Sequence, residues 1–102
     1  MKNTLNDFTH IQIGNSHSFS HDKTSKFITG IKAKICKLLL QAEGEVVLYE
    51  EICKYLYSDE PNYFLMRTID VHICAINKFL SEFNYKATRL RKAGFKLEKL
   101  KP

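Results

Sequence analysis

Five apolar residues, Ile69, Ile73, Ile76, Leu80 and Phe83, step along the chain by four, three, four and three. That spacing places them on one face of an α-helix and nowhere useful on a strand, whose side chains alternate with a period of two. A helix with one apolar face must bury it against other elements. The remaining 85 or so residues on either side of this helix therefore have to supply the covering layer. At 102 residues the chain is long enough for one such core and short for two.

The segment before it supplies two more helices. Ile28, Ile31, Ile35, Leu38 and Ala42 recur at three and four, which predicts a helix from about Ser25 with Gly44 as its stop. Tyr49 to Tyr57 predicts a short helix with Ile52, Cys53 and Leu56 inward, its first turn carrying Glu50 and Glu51 against the helix dipole. Ser58 to Asn62, with Pro61 in it, breaks the chain into a loop, and the third helix is expected near Arg67. The flanks read as β. Thr9 to Ile13 alternates, Gly14-Asn15 is a turn dipeptide and Ser16 to Phe19 returns. At the other end Tyr85 to Leu90, a turn over Arg91 to Gly94, and Phe95 to Leu97 form a hairpin, while Glu45 to Leu48 is a short β-like run. The order is hairpin, helix, short strand, helix, loop, helix, hairpin. This predicts an α+β winged helix-turn-helix: one domain over 1–102, with an N-terminal β segment (1–24), a three-helix core (25–83), a C-terminal hairpin wing (84–98) and a tail (99–102). In that architecture the third helix enters a DNA major groove and the hairpin touches the backbone or the minor groove.

Charge is distributed unevenly. Asn84 to Pro102 holds seven basic residues and one acidic, so the remainder of this +5 chain is slightly acidic. Six acidic residues against Lys54 fill Glu43 to Glu60. A basic end of this kind serves either as a polyanion-binding surface or as a solubilising one, and charge by itself does not choose between them.

Arg67-Thr68-Ile69-Asp70-Val71-His72-Ile73 resembles the start of the recognition helix in OmpR/PhoB-type winged-helix domains, with the pattern R-T-[VI]-D-V-H-I. Gly44-Glu45-Val46-Val47 followed by Tyr49-Glu50-Glu51-Ile52 is similar to that family's G-x-V-V-x-x-x-E-L junction, and Gly94-Phe95-Lys96-Leu97 to the G-[YF]-x-[LF] that closes its wing. The resemblance covers roughly 27–98. It implies a bacterial or phage transcription regulator on direct-repeat double-stranded DNA, commonly a head-to-tail homodimer, here either a stand-alone domain without a receiver or a fragment of a larger regulator, with a ToxR-like branch also open. It carries Arg91 onto the wing arginine, with Lys92 replacing the wing's first glycine.

On the helix itself, about 100° per residue sets Arg67, Val71, Cys74, Ala75 and Lys78 opposite the core stripe. Arg67 and Lys78 can neutralise phosphates, and Val71 can meet a thymine methyl. The expected DNA-binding set is Arg67, Thr68, Val71, His72, Ala75, Lys78, Arg89, Arg91 and Lys92. His72 reads equally as a phosphate donor or as a half-buried ring held by a carbonyl. Cys74-Ala75-Ile76-Asn77 stands where relatives carry several arginines, as in R-R-L-R. This keeps a rival reading open: a winged helix used for protein contact, binding RNA polymerase or another regulator through the 58–66 loop, with weak or no DNA binding. The apolar residues Tyr63 to Met66 in that loop serve either such a contact or the core and helix lead-in.

Nothing else reads as chemistry. No nucleophile–base set, glycine-rich phosphate loop or paired carboxylates occur at useful spacing, so neither an enzyme nor a cofactor is expected. Three cysteines form no framework: Cys36 is expected at the core edge, Cys53 within the core and Cys74 outward. His17 and His21 read as exposed turn histidines and not as metal ligands. The start opens no apolar signal region and no run approaches a membrane span, which makes the cytoplasm the expected compartment.

Overall fold

A computed structural model of the chain describes residues 8–21, 23–91 and 93–100. The elements run β1 (Thr9–Ile13), β2 (Ser16–His21), β3 (Thr24–Thr29), α1 (Gly30–Gln41), β4 (Val47–Leu48), α2 (Tyr49–Tyr57), α3 (Tyr63–Ser81), β5 (Tyr85–Leu90) and β6 (Gly94–Lys99). This is an α+β arrangement of three helices between two small antiparallel sheets, ordered β1-β2-β3 and β4-β6-β5.

The expected first hairpin forms, but it carries a third strand that the helical spacing had concealed. The segment from Thr24 to Thr29 pairs with β2, setting Ile28 opposite His17 and Phe27 opposite Ser18. Its aromatic and β-branched residues suit a strand, and the β segment therefore ends at Thr29 and not at residue 24. The helix begins at Gly30, which takes φ +70 as the chain turns out of the sheet, a conformation open to glycine at little cost. The predicted α1 stripe is also rotated. Ala33, Ile35, Cys36, Leu39 and Leu40 are buried, whereas Ile31 is exposed and Leu38 and Ala42 are half-buried. So many α1 residues are apolar that two stripes fit its sequence, and only packing selects one. Cys36 accordingly lies fully in the core and not at its edge, and burial pushes its thiol up to about 12.

The short strand and α2 form where expected. Val47 and Leu48 pair with Phe95 and Gly94 of β6, so the middle of the chain is stitched to the C-terminal hairpin. The Glu51 carboxylate accepts the Leu48 N–H at 2.9 Å and closes the first turn of α2. Ser58 ends that helix in the left-handed region, at φ 54.

The third helix starts four residues earlier than expected, at Tyr63. The Asn62 side chain accepts the Leu65 N–H at 2.9 Å, an N-cap that satisfies one of the orphan amides of the first turn. Residues 63–66 are thus helix and not loop, with Leu65 and Met66 packed against the core. Ile69, Ile73, Ile76 and Leu80 are all buried, and Phe83 is buried in the turn after α3. Around them close Ile35, Leu39, Ile52, Tyr85, Phe95 and Leu97, while Phe19 of the first sheet meets Phe79 edge-on at 5.9 Å. No helix among the described residues is long and apolar enough to cross a membrane.

Candidate nucleic-acid interface

The burial of one face of α3 decides what the other face shows. Arg67, Val71, Cys74 and Lys78 are exposed, with Val71 at 64%. Thr68, His72 and Ala75 sit half-buried on its flanks. The Thr68 hydroxyl donates back to the Phe64 carbonyl at 2.9 Å, so its proton is committed within the helix. Burial, helped by the Lys32 charge, holds His72 below the ordinary histidine value. It is therefore a neutral ring at neutral pH and not a cation for phosphate. Arg67 donates to the Tyr63 hydroxyl one turn earlier, at 3.4 Å.

The C-terminal hairpin lies alongside α3, joined to it by a side-chain tie. Asn77 presents an amide to the backbone of Ala87: Ala87 N–H donates to Asn77 Oδ1 at 2.7 Å, and Asn77 Nδ2 donates to the Ala87 carbonyl at 3.3 Å. The side chain does for β5 at this residue what a neighbouring strand would do. A second tie runs through Asp70. The buried Tyr49 hydroxyl donates to Asp70 Oδ1 at 2.5 Å, and Arg89 Nη2 of β5 stands 3.7 Å from Asp70 Oδ2. Burial and the neighbouring carboxylate push the Tyr49 phenol up to about 12, so it remains a donor throughout the physiological range. Asp70, Asn77 and Tyr49 thus position the helix and hairpin. Sequence reasoning left all three without a role, although Asp70 stands inside the Arg67–Ile73 motif.

Between α3 and β5 runs a cleft of about 400 Å³ whose lining includes Ile73, Cys74, Lys86 and Arg89. It adds Lys86, an exposed cation beyond the expected set. A neighbouring cleft of about 300 Å³ lies between Tyr63, Met66, Arg67, Asp70 and Arg89. Arg91 is exposed in the hairpin turn, and Lys92 lies outside the described residues. Lys96 is drawn to Glu98 at 3.5 Å, and Glu98 also accepts the Thr88 hydroxyl at 2.5 Å, so the acidic residue of the hairpin is partnered within it. Helix and hairpin therefore bring Arg67, Val71, Lys78, Lys86, Arg89 and Arg91 onto adjoining elements. Tyr63 and Phe64, 77% and 74% exposed, stand on the first turn of α3 beside them.

The histidines of the first sheet are placed otherwise than expected. His17 is 2% exposed, and its Nδ1 lies 2.8 Å from His10 Nε2, with His10 stacked on Phe19 at 4.6 Å. In β2 the inward positions are His17, Phe19 and His21, so the period of two that a turn reading ignored carries His17 into the core. Burial lowers both His10 and His17 below the ordinary value, with His17 and Lys37 acting in the same direction on His10, and Lys37 and Lys34 on His17. Among the described residues, no group of three or more His, Cys, Asp or Glu is arranged to hold a metal ion. Set against known proteins, the chain matches no family model and no curated protein.

Proposed function

We propose that the chain is a winged-helix regulator of the OmpR/PhoB type that binds duplex DNA, with α3 in the major groove and the β5–β6 hairpin as the wing against the backbone. One observation carries this reading: the exposed face of α3 bears Arg67, Val71 and Lys78, its half-buried Asp70 is engaged by Tyr49 and Arg89, and the hairpin tied to it adds Lys86, Arg89 and Arg91. Spanning 19 residues, α3 is about 28 Å long, enough to lie across a major groove about 12 Å wide. With two cations on the helix and more on the wing, affinity comes chiefly from phosphate contacts, and Val71 is the apolar side chain available to a thymine methyl.

The test is fluorescence anisotropy on a mixed-sequence 20-base-pair duplex across a salt series. Each phosphate contact contributes about −0.9 to the slope of log K against log salt. Replacing Arg91 and Lys92 by Ala should flatten the slope by up to about 1.8 and weaken specific and nonspecific DNA alike. An unchanged slope and affinity would reduce the basic hairpin to a solubilising surface. The exposed pair Tyr63 and Phe64 favours a second reading, in which the same fold docks on a protein such as RNA polymerase. Binding to DNA that is unmeasurable even at low salt would put that reading first.

A further inference from the structure

We infer that the cleft between the first half of α3 and β5 is a phosphate site whose internal occupant is the Asp70 carboxylate, which yields Arg89 when phosphate arrives. The inference deepens the DNA-binding reading by naming one phosphate contact and what competes for it. Arg67 and Arg89 come from different elements and line the same cleft of about 300 Å³, with Tyr63, Met66 and Asp70 completing its walls.

The two oxygens of Asp70 are held very differently. Oδ1 takes a 2.5 Å hydrogen bond from Tyr49, a phenol rooted in the core. Oδ2 faces Arg89 at 3.7 Å, beyond hydrogen-bond length, and the Arg89 side chain is 57% exposed. Asp70 therefore cannot follow Arg89 if the guanidinium swings, whereas Arg89, mostly exposed and held by the long contact to Asp70 and a contact to the Tyr49 hydroxyl, has room to move away. An exposed pair of this kind contributes little, because water screens it and two side chains must be held in one geometry. A guanidinium matches phosphate with two parallel N–H donors, which the long contact to Asp70 does not engage. The carboxylate thus orients the arginine toward the cleft in the free protein and opposes the incoming anion by like charge. A purely structural brace would do the reverse, since cutting it would loosen the site and weaken binding.

Two probes separate the site from the function. Inorganic phosphate is titrated against the guanidinium Nε–H signals of Arg67 and Arg89 by NMR, and the 20-base-pair duplex is followed by anisotropy. Wild type is compared with D70N, R89Q and the double variant, with thermal melts as the control for folding. D70N keeps an acceptor for Tyr49 and should tighten both probes by about twofold to fivefold, the equivalent of one exposed ion pair. R89Q should cancel that gain and flatten the DNA salt slope by about 0.9. Tighter phosphate binding by D70N with no DNA binding by any variant would support the anion site and refute the DNA reading. DNA binding that D70N leaves unchanged or weakens, with an unchanged melt, would overturn the inference and leave the DNA reading standing. If D70N fails to fold, R89K decides: it keeps a charge beside Asp70 but loses the fork, and phosphate affinity equal to wild type would overturn the inference.

Discussion

Replacing Asn77 by Ala tests the joint between α3 and the C-terminal hairpin. The Asn77 amide satisfies both backbone groups of Ala87, a residue buried in β5. Truncation leaves the Ala87 N–H without its 2.7 Å acceptor, a loss of about 1–3 kcal/mol for a buried donor. The longer 3.3 Å bond to the carbonyl adds about 0.5 kcal/mol. Alanine is the better helix former by up to about 0.7 kcal/mol, which offsets part of this. The net expectation is a destabilisation of about 2 kcal/mol, or a fall in Tm of roughly 8–16 °C for a domain of this size. Urea unfolding followed by circular dichroism measures it directly. Asn77→Asp keeps the acceptor and loses the donor, so it should fall between wild type and alanine. Lys78→Ala, on the exposed face one residue on, should stay within about 0.5 kcal/mol. N77A also uncovers the free edge of β5, and self-association that rises with concentration is the expected accompaniment. An N77A protein within about 0.5 kcal/mol of wild type would refute the argument that this side chain replaces a neighbouring strand.

Two further expectations follow from the same geometry. His10, His17 and His72 are all held below the ordinary value of 6.5, so the unfolded chain binds protons before the folded one does. Their contribution to stability is complete above pH 6.5 and is lost as the pH falls from there through the folded-state values, so Tm should drop between about pH 7 and pH 5, and a flat profile would contradict it. Gly94→Ala would place a Cβ 2.0 Å from the Val47 carbonyl oxygen and 2.8 Å from Leu48 Cα, both backbone atoms. Because neither can move without parting β4 from β6, it should cost about 3 kcal/mol or more, and a melt like that of wild type would show that the strands do not need this close approach.

Where one face of an element is apolar and the other polar, local spacing determined the outcome. The buried set Ile69, Ile73, Ile76 and Leu80 follows from the spacing along α3 and leaves Arg67, Val71 and Lys78 outside as its complement. The short helix from Tyr49 to Tyr57 and the hairpin from Tyr85 are equally legible, because each is punctuated by a turn or a loop. Elements that are apolar all round, or polar on both faces, were decided by their neighbours. The segment from Thr24 to Thr29 is a strand because β2 offers it a hydrogen-bonded edge, and α1 buries Ala33 and Cys36 because other elements, α2, α3 and β6 among them, pack against it. His17 reads as a polar turn residue until the pleat turns it inward onto His10. The candidate interface divides in the same way: its cations are written in the chain as Arg67, Lys78, Arg89 and Arg91. Their arrangement depends on Asp70, Asn77 and Tyr49, whose partners lie 10 to 21 residues away along the chain. Periodicity reports what a residue does for its own element, and only the folded chain decides which distant group it meets.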